Sequence, residues 1–508
     1  MRIKAALIAV CVPAVAAAQE PLSVIDWLGA AYRAPAPGSV LLEPPVAKAA
    51  MRPEIEVSPL EALTLPVGLV PPDVTGLPVD LWRGSDPAQL TRLIAEVPVQ
   101  DSPAMQALFY TLLLAEKSPP DGAGAAAADA LLLAQIDRLI ALGATDPALA
   151  LVELAGPTRS PALFRRWFDA ALLTGEEDRT CAALLAAPHL SPGYAAQIFC
   201  TLRGGDWQTA ALTLETAHAL DLLPKAQLDL LDRFLDPELF ETAPPLPPPL
   251  DPDPLTFRLY EAIGERLPST NLPRAFANAD LRDLAGWKAQ IEAAERLTRI
   301  GALNPNRLLG LYTDRKPAAS GGVWERVAAV QRFDTALNTG SAEAVAKTLP
   351  RVWDHMRAAG LEVPFAHLFA DRLAALPLRD DTAALAWEIR LLSPDYEAAS
   401  HRPPDNSRER TFLAALAQGE PGRAQPPDGQ AQAVADGFAP RAVPPQELRD
   451  ALDTGRLGEV ILRAIALFDR GARGNPAELA SALATLRAVG LEDTARRAAL
   501  QLMLVGRA

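Results

Sequence analysis

Cysteine is scarce in this 508-residue chain, occurring only at Cys11, Cys181 and Cys200. That number and spacing exclude a zinc set of thiolates and a CxxC redox pair. Aromatic residues make up only 6% and strand-forming runs are few, so a large core must be built from aliphatic side chains and alanine, which points to an all-α fold. Beyond the first 18 residues no apolar run reaches the roughly 18 to 20 uninterrupted residues that cross a bilayer. Cations are outnumbered, 48 Lys and Arg against 62 Asp and Glu, and lysine is rare beside arginine. A net charge of −14 argues against nucleic acid or an anionic membrane surface as partner, since both require clustered cations. Nucleotide, zinc-protease and serine-hydrolase signatures are missing as well: GxxxxGK[ST], HExxH and GxSxG do not occur. The five histidines are scattered, with only His355 and His367 on neighbouring predicted helices, and no metal or cofactor site is expected.

What is present begins at the first residues. Arg2 and Lys4 precede an apolar run from Ala5 to Val15, and Ala16, Ala17 and Ala18 supply the small residues that a signal peptidase needs. Residues 1–18 therefore read as a signal peptide, with cleavage before Gln19 and export to the periplasm. Cys11 does not make a lipoprotein signal, because Val10 stands where that signal needs a small residue. Export leaves Cys181 and Cys200, one in each of two successive predicted helices, and an oxidising compartment favours a disulfide between them. Two buried free thiols are the alternative.

Three times between Ala130 and Leu223 the chain runs through an apolar helix, a glycine and a second apolar helix, with Gly143, Gly175 and Gly205 spaced by 32 and 30 residues. Such a period belongs to helical hairpins that bury their apolar faces against their neighbours. In the third unit Gly205, Trp207, Ala210, Leu214 and Ala217 stand at the offsets of the tetratricopeptide repeat's second helix. Gly143, Ala148, Val152 and Ala155 match in the first unit; Thr180, Leu184 and Ala187 match less well in the second. The first helices depart from the family: Ile136, Phe168 and Ile198 replace its small glycine, and Leu139, Ala171 and Thr201 its tyrosine. The chain thus weakly resembles tetratricopeptide-type helical-repeat proteins. The resemblance implies an α-solenoid of helical hairpins that presents a groove to a protein partner.

Proline divides the rest. Residues 19–85 are proline-rich and should be extended, with Ile25, Trp27 and Leu28 as a candidate docking motif on a partner or on the chain itself. Asp86-Pro87 and Ser102-Pro103 open helices, and the helical-repeat block spans 86–240. Seven prolines between Pro244 and Pro254 mark a linker at 241–254. A second helical block covers 255–400. There Trp287, Ile291, Ala294 and Leu297 form a buried stripe, and Glu292–Arg296 and Glu295–Arg299 read as exposed i,i+4 pairs. The polar, proline-rich stretch 401–445 reads as a low-complexity linker with one short helical run near Thr411 to Gln418. Residues 446–508 form C-terminal repeats, with Arg496, Arg497 and Arg507 suggesting a polar cap.

One loop combines two cations with a glycine pair at a helix start: Arg315, Lys316, Ser320, Gly321 and Gly322, ahead of a helix from about Val323. It is a candidate anion site. Ser320 as a helix cap with a glycine hinge accounts for the same residues without a ligand. The enzyme class to compare in this compartment is the soluble lytic transglycosylase, whose catalytic glutamate is followed by serine, and no Glu-Ser pair occurs here. The sequence therefore points to a non-enzymatic periplasmic scaffold for protein partners in the cell envelope. A peptidoglycan- or small-ligand-binding module, or an accessory of an envelope motility or secretion machine, are the alternatives.

Overall fold

The computed structural model describes residues 66–317 and 319–505. The signal-peptide segment and the docking-motif residues Ile25, Trp27 and Leu28 lie outside the described residues. Within them every regular element is helical, and the only extended pairings are isolated bridges from Val67 to Lys117 and from Val70 to Ala115.

The first helices are α1 (Pro72–Thr75), α2 (Pro87–Glu96) and α3 (Pro103–Leu114). The two longer ones start where the sequence indicates. The Asp86 carboxylate accepts from the Gln89 N–H at 2.8 Å and Ser102 Oγ from the Met105 N–H at 3.4 Å, while each first-turn proline removes an amide that would have no partner. Next come α4 (Ala125–Ala141), α5 (Thr145–Ala155), α6 (Pro161–Thr174), α7 (Glu177–Ala186), α8 (Tyr194–Arg203), α9 (Trp207–Ala219) and α10 (Lys225–Leu235), each packed on the one before it. Gly143, Gly175 and Gly205 have φ of 84°, 87° and 86°, the left-handed conformation that only glycine adopts without strain. Each lets the following amide (Ala144, Glu176, Asp206) donate back to the carbonyl five residues earlier (Leu139, Ala171, Thr201), which closes the first helix of each pair and turns the chain into the second.

A second set comprises α11 (Pro254–Ala262), α12 (Ala277–Asp280), α13 (Trp287–Arg299), α14 (Pro305–Asp314), α15 (Val323–Thr339), α16 (Ala342–Ala358), α17 (Glu362–Ala374) and α18 (Asp380–Leu391). Apolar side chains from Ala277 to Leu392 form a core of their own, into which Trp287, Ile291, Ala294 and Leu297 project as the stripe indicated. The opposite face of α13 differs from expectation. Glu295 is buried, and instead of Arg299 it is paired with Arg326 at 2.5 Å and accepts from the Tyr312 hydroxyl at 2.8 Å. Arg299 donates to the Ala359 carbonyl. Three hydrogen bonds from two residues on neighbouring helices satisfy a carboxylate that i,i+4 spacing alone would leave in water.

The last helices are α19 (Tyr396–Ser400), α20 (Arg408–Ala417), α21 (Gly429–Gly437), α22 (Gln446–Asp453), α23 (Leu457–Ala472), α24 (Pro476–Ala488) and α25 (Glu492–Val505). Two of them, α20 and α21, occupy the stretch read as a low-complexity linker. Ser407 and Asp428 cap them, the prolines are confined to the turns between, and Phe412, Leu416 and Val434 are fully buried. Helix α25 is likewise more than a polar cap. Arg496 and Arg497 pair with Glu492 and Asp493 on one face, while Ala495, Ala499, Leu500 and Met503 on the other are buried against α3 and α20.

That packing joins the two ends of the described chain. Helix α2 rests on α23 and α3 on α25, and one apolar core runs from Val70 through Ile300 and resumes from Trp387 to Met503. Across the seam the Ala104 N–H donates to Gln501 Oε1 at 2.8 Å and the Gly458 N–H to the Leu81 carbonyl at 2.9 Å. Trp82, almost wholly buried, packs against Gly458, where a Cβ would overlap its ring.

Candidate functional site

The sequence candidates are distributed as follows. Cys181 on α7 and Cys200 on α8 are joined in a disulfide, both buried, tying two successive helices together. In the loop ahead of α15, Arg315, Lys316, Ser320, Gly321 and Gly322 are all exposed. Arg315 pairs with Asp314 at 2.9 Å, and the residue at the N-cap of α15 is Gly322, so Ser320 is not the cap. Gly322 takes a left-handed φ of 54°, which fixes the turn with backbone alone. His355 lies on α16 and His367 on α17, and among the described residues no three metal-binding side chains converge.

Two cavities are small for a ligand. One of about 100 Å³ lies in the seam between Val99–Met105 and helices α23 and α25, lined mainly by apolar groups such as Phe468 and Leu502. The other, about 280 Å³, is an open polar notch beside Tyr396 in which Arg496 is already held by Glu397 and Glu492. Small-molecule sites usually enclose about 300 to 1,000 Å³ of mostly apolar space.

A different surface carries the strongest signal. Of the twelve exposed large hydrophobic side chains among the described residues, six lie between Trp207 and Leu250: Trp207, Leu212, Leu220, Leu222, Leu239 and Leu250. Single exposed leucines are ordinary on protein surfaces; a concentration of them marks a contact surface. Their placement follows from the α9–α10 hairpin. Asp206 caps α9 by accepting from the Thr209 N–H at 3.0 Å, and the hydrogen bonds from Thr209 hold its carboxyl below the usual range. Ala210, Leu214 and Ala217 then recur at helical spacing and are buried, so Leu212, between them, faces outward and is 65% exposed. At the start of α9 the Trp207 indole N–H donates to the Leu235 carbonyl at the end of α10, which holds the ring at the hairpin's edge, half exposed.

After α10 the chain has no regular structure until Asp253, as its prolines require, yet it is not a free spacer. Arg233 donates to Glu265 and to the Pro244 carbonyl, both at 2.7 Å, and its guanidinium lies 5.8 Å from the Phe240 ring. The Leu246 N–H donates to Glu265 and the Tyr260 hydroxyl to the Pro247 carbonyl. Residues 244–247 are thereby strapped across α10 and α11, with Leu239 and Leu250 left in solvent on either side, 72% and fully exposed. The same stretch is strongly acidic: residues 206–254 hold ten aspartates and glutamates against Lys225 and Arg233, a net charge of −8.

No protein-family model matches the chain, and the searches of curated proteins and of solved structures likewise found no match. Among the described residues the chain is all-helical with one disulfide. No helix among the described residues is long and apolar enough to cross a membrane.

The leucine surface was not singled out from the sequence, although its signal was there. Leu212 is out of phase with the buried stripe of α9, and the acid excess of 206–254 stands out against the chain as a whole.

Proposed function

We propose that this chain is an exported, non-enzymatic helical scaffold that works in the periplasm by holding a protein partner of the cell envelope. The observation that carries the reading is the concentration of exposed leucines on the α9–α10 hairpin and its proline strap. A folded protein seldom leaves such groups in water unless another surface covers them. Support for the compartment comes from the leader-like first 18 residues and from the Cys181–Cys200 disulfide, which persists in an oxidising environment. The tetratricopeptide-like offsets of α5, α7 and α9 fit the same role, since hairpin arrays of that kind display side chains on a broad face.

The test is affinity capture from envelope extract with the mature chain as bait, beside assays for hydrolysis of cell-wall and peptide substrates. The reading expects a discrete protein partner, lost in a Leu212→Ser/Leu239→Ser bait, and no turnover. Turnover abolished by a single carboxylate or histidine substitution, with fold and partner intact, would make the protein an enzyme.

A further inference from the structure

We infer that the α9–α10 surface docks a cationic amphipathic segment of a partner protein, one that sets leucine-like side chains beside lysine or arginine. The inference rests on the scaffold reading and specifies the chemistry of its partner.

Two properties of the surface select this occupant. The first is apolar: Leu212 stands on the outward face of α9, Trp207 and Leu239 at one end of the hairpin, Leu220 and Leu222 at the other. Helix α9 has 13 residues and is about 20 Å long, enough to lie against a partner helix of three to four turns. The second is charge. Glu215 shares the outward face of α9 with Leu212, Glu238 adjoins Leu239 and Asp251 adjoins Leu250, all six exposed. The only cations in residues 206–254 are Lys225 and Arg233, and Arg233 is committed to Glu265 and the strap. Leucines interleaved with carboxylates favour a segment whose apolar face is flanked by positive charge, and disfavour every acidic candidate.

That criterion separates the available occupants. The chain's own segment 19–65 carries six acids and three cations, a net of −3, so the −8 surface repels it. A second copy of the whole chain, at −14, is repelled more strongly. An anionic lipid surface fails for the same reason. A cationic segment of another protein gains from both the leucines and the carboxylates, and the electrostatic part of its affinity should fall as salt shortens the screening length from about 10 Å at 0.1 M to about 3 Å at 1 M.

The experiment uses the mature full chain and a fluorescein-labelled 18-residue peptide of leucine and lysine in helical register, read by fluorescence anisotropy. A matched leucine–glutamate peptide is the control ligand. Leu212→Ser/Leu239→Ser removes apolar area, Glu215→Lys/Glu238→Lys reverses charge, and Asp283→Lys/Leu284→Ser makes equivalent changes at an exposed site outside the hairpin. All six side chains are exposed, so circular dichroism and thermal midpoints should match the parent in every variant. We expect the lysine peptide to bind at least tenfold more weakly to each hairpin variant, less than twofold more weakly to the control variant, and the glutamate peptide not to bind.

Equal affinities for hairpin and control variants would mean that the whole acidic chain attracts the peptide, and would overturn the inference. Tighter peptide binding after deletion of residues 19–65 would overturn it in favour of self-docking. The scaffold reading fails separately, if the parent chain captures no protein from envelope extract. If the envelope partner is still captured by both hairpin variants, the scaffold stands on another surface and this inference falls; if capture and peptide binding are lost together, both stand.

Discussion

At the scale of single residues, Lys117 has the most unusual setting. It is 4% exposed, just beyond the end of α3, and its Nζ donates to the Leu113 and Ala115 carbonyls, both at 2.8 Å. Those carbonyls lie where a helix leaves acceptors without amide partners, so the lysine closes the helix end and the buried amine is fully used. Burial pushes its ammonium down from the ordinary 10.5 to about 7. The unfolded chain therefore holds this proton between pH 7 and 10.5 while the folded chain releases it, and stability from this group rises with pH across that window and is lowest below it. Each unit of depression corresponds to about 1.4 kcal/mol. The Lys117→Met variant should be less stable than the parent near pH 10, where two carbonyls lose their donor at a cost of roughly 1 to 3 kcal/mol, and that loss should shrink and reverse toward pH 7 and below, where the parent bears the cost of its buried charge. Its denaturant midpoint should also lack the part of the parent's pH response that lies between pH 7 and 10. Parallel pH profiles for parent and variant would show that Lys117 keeps its charge in the fold.

At the scale of elements, much of the structure could be read from the sequence because short-range chemistry decided it. Aspartate or serine before proline opened α2 and α3, left-handed glycines closed α4, α6 and α8, and helical spacing put Ile291 and Leu297 of α13 inside. What could not be read depended on partners distant in the chain. Glu295 is held by Tyr312 and Arg326, and residues 401–445 fold because Phe412 and Val434 find a core made by α24 and α25. The candidate surface was hidden for a related reason: periodicity identifies the side of α9 that is buried but does not say whether the other side is covered.

Replacing Cys181 and Cys200 together by alanine should cost about 3 kcal/mol on the loop-entropy estimate for a separation of 19 residues, measured as a fall in denaturant midpoint. Non-reducing peptide mapping should find the two joined in protein recovered from the periplasm. In α9, Ala210→Leu should cost roughly 1 to 3 kcal/mol because Ala210 is fully buried at a helix crossing, whereas Leu212→Ser, two residues on, should change stability by less than about 0.5 kcal/mol. Equal losses would mean that the outward face of α9 is packed in solution.

At the scale of the whole molecule, the fold is closed by its seam, and Gly458 is one of the points where the two ends approach closely. Alanine is favoured over glycine inside a helix by about 1 kcal/mol, so Gly458→Ala would stabilise α23 if space allowed. It does not, because the new Cβ would overlap the ring of Trp82, which is 1% exposed and has nowhere to move. Overpacking should win, with a net loss of roughly 1 to 3 kcal/mol and faster amide exchange in α2 and α23. Among the described helices, α9 packs mainly on α8 and α10 and has no extensive contact with the seam helices α2, α3, α23 and α25.

The most direct test of the central claim, that this outer side holds a protein partner, is site-specific crosslinking in intact cells. A photoreactive phenylalanine analogue would replace Leu212 in one strain and Leu284, equally exposed at 65%, in another. The account predicts a discrete crosslinked species from position 212, carrying a partner peptide rich in lysine or arginine, and none of comparable yield from 284. Equal patterns from the two positions, or no species from 212, would contradict it.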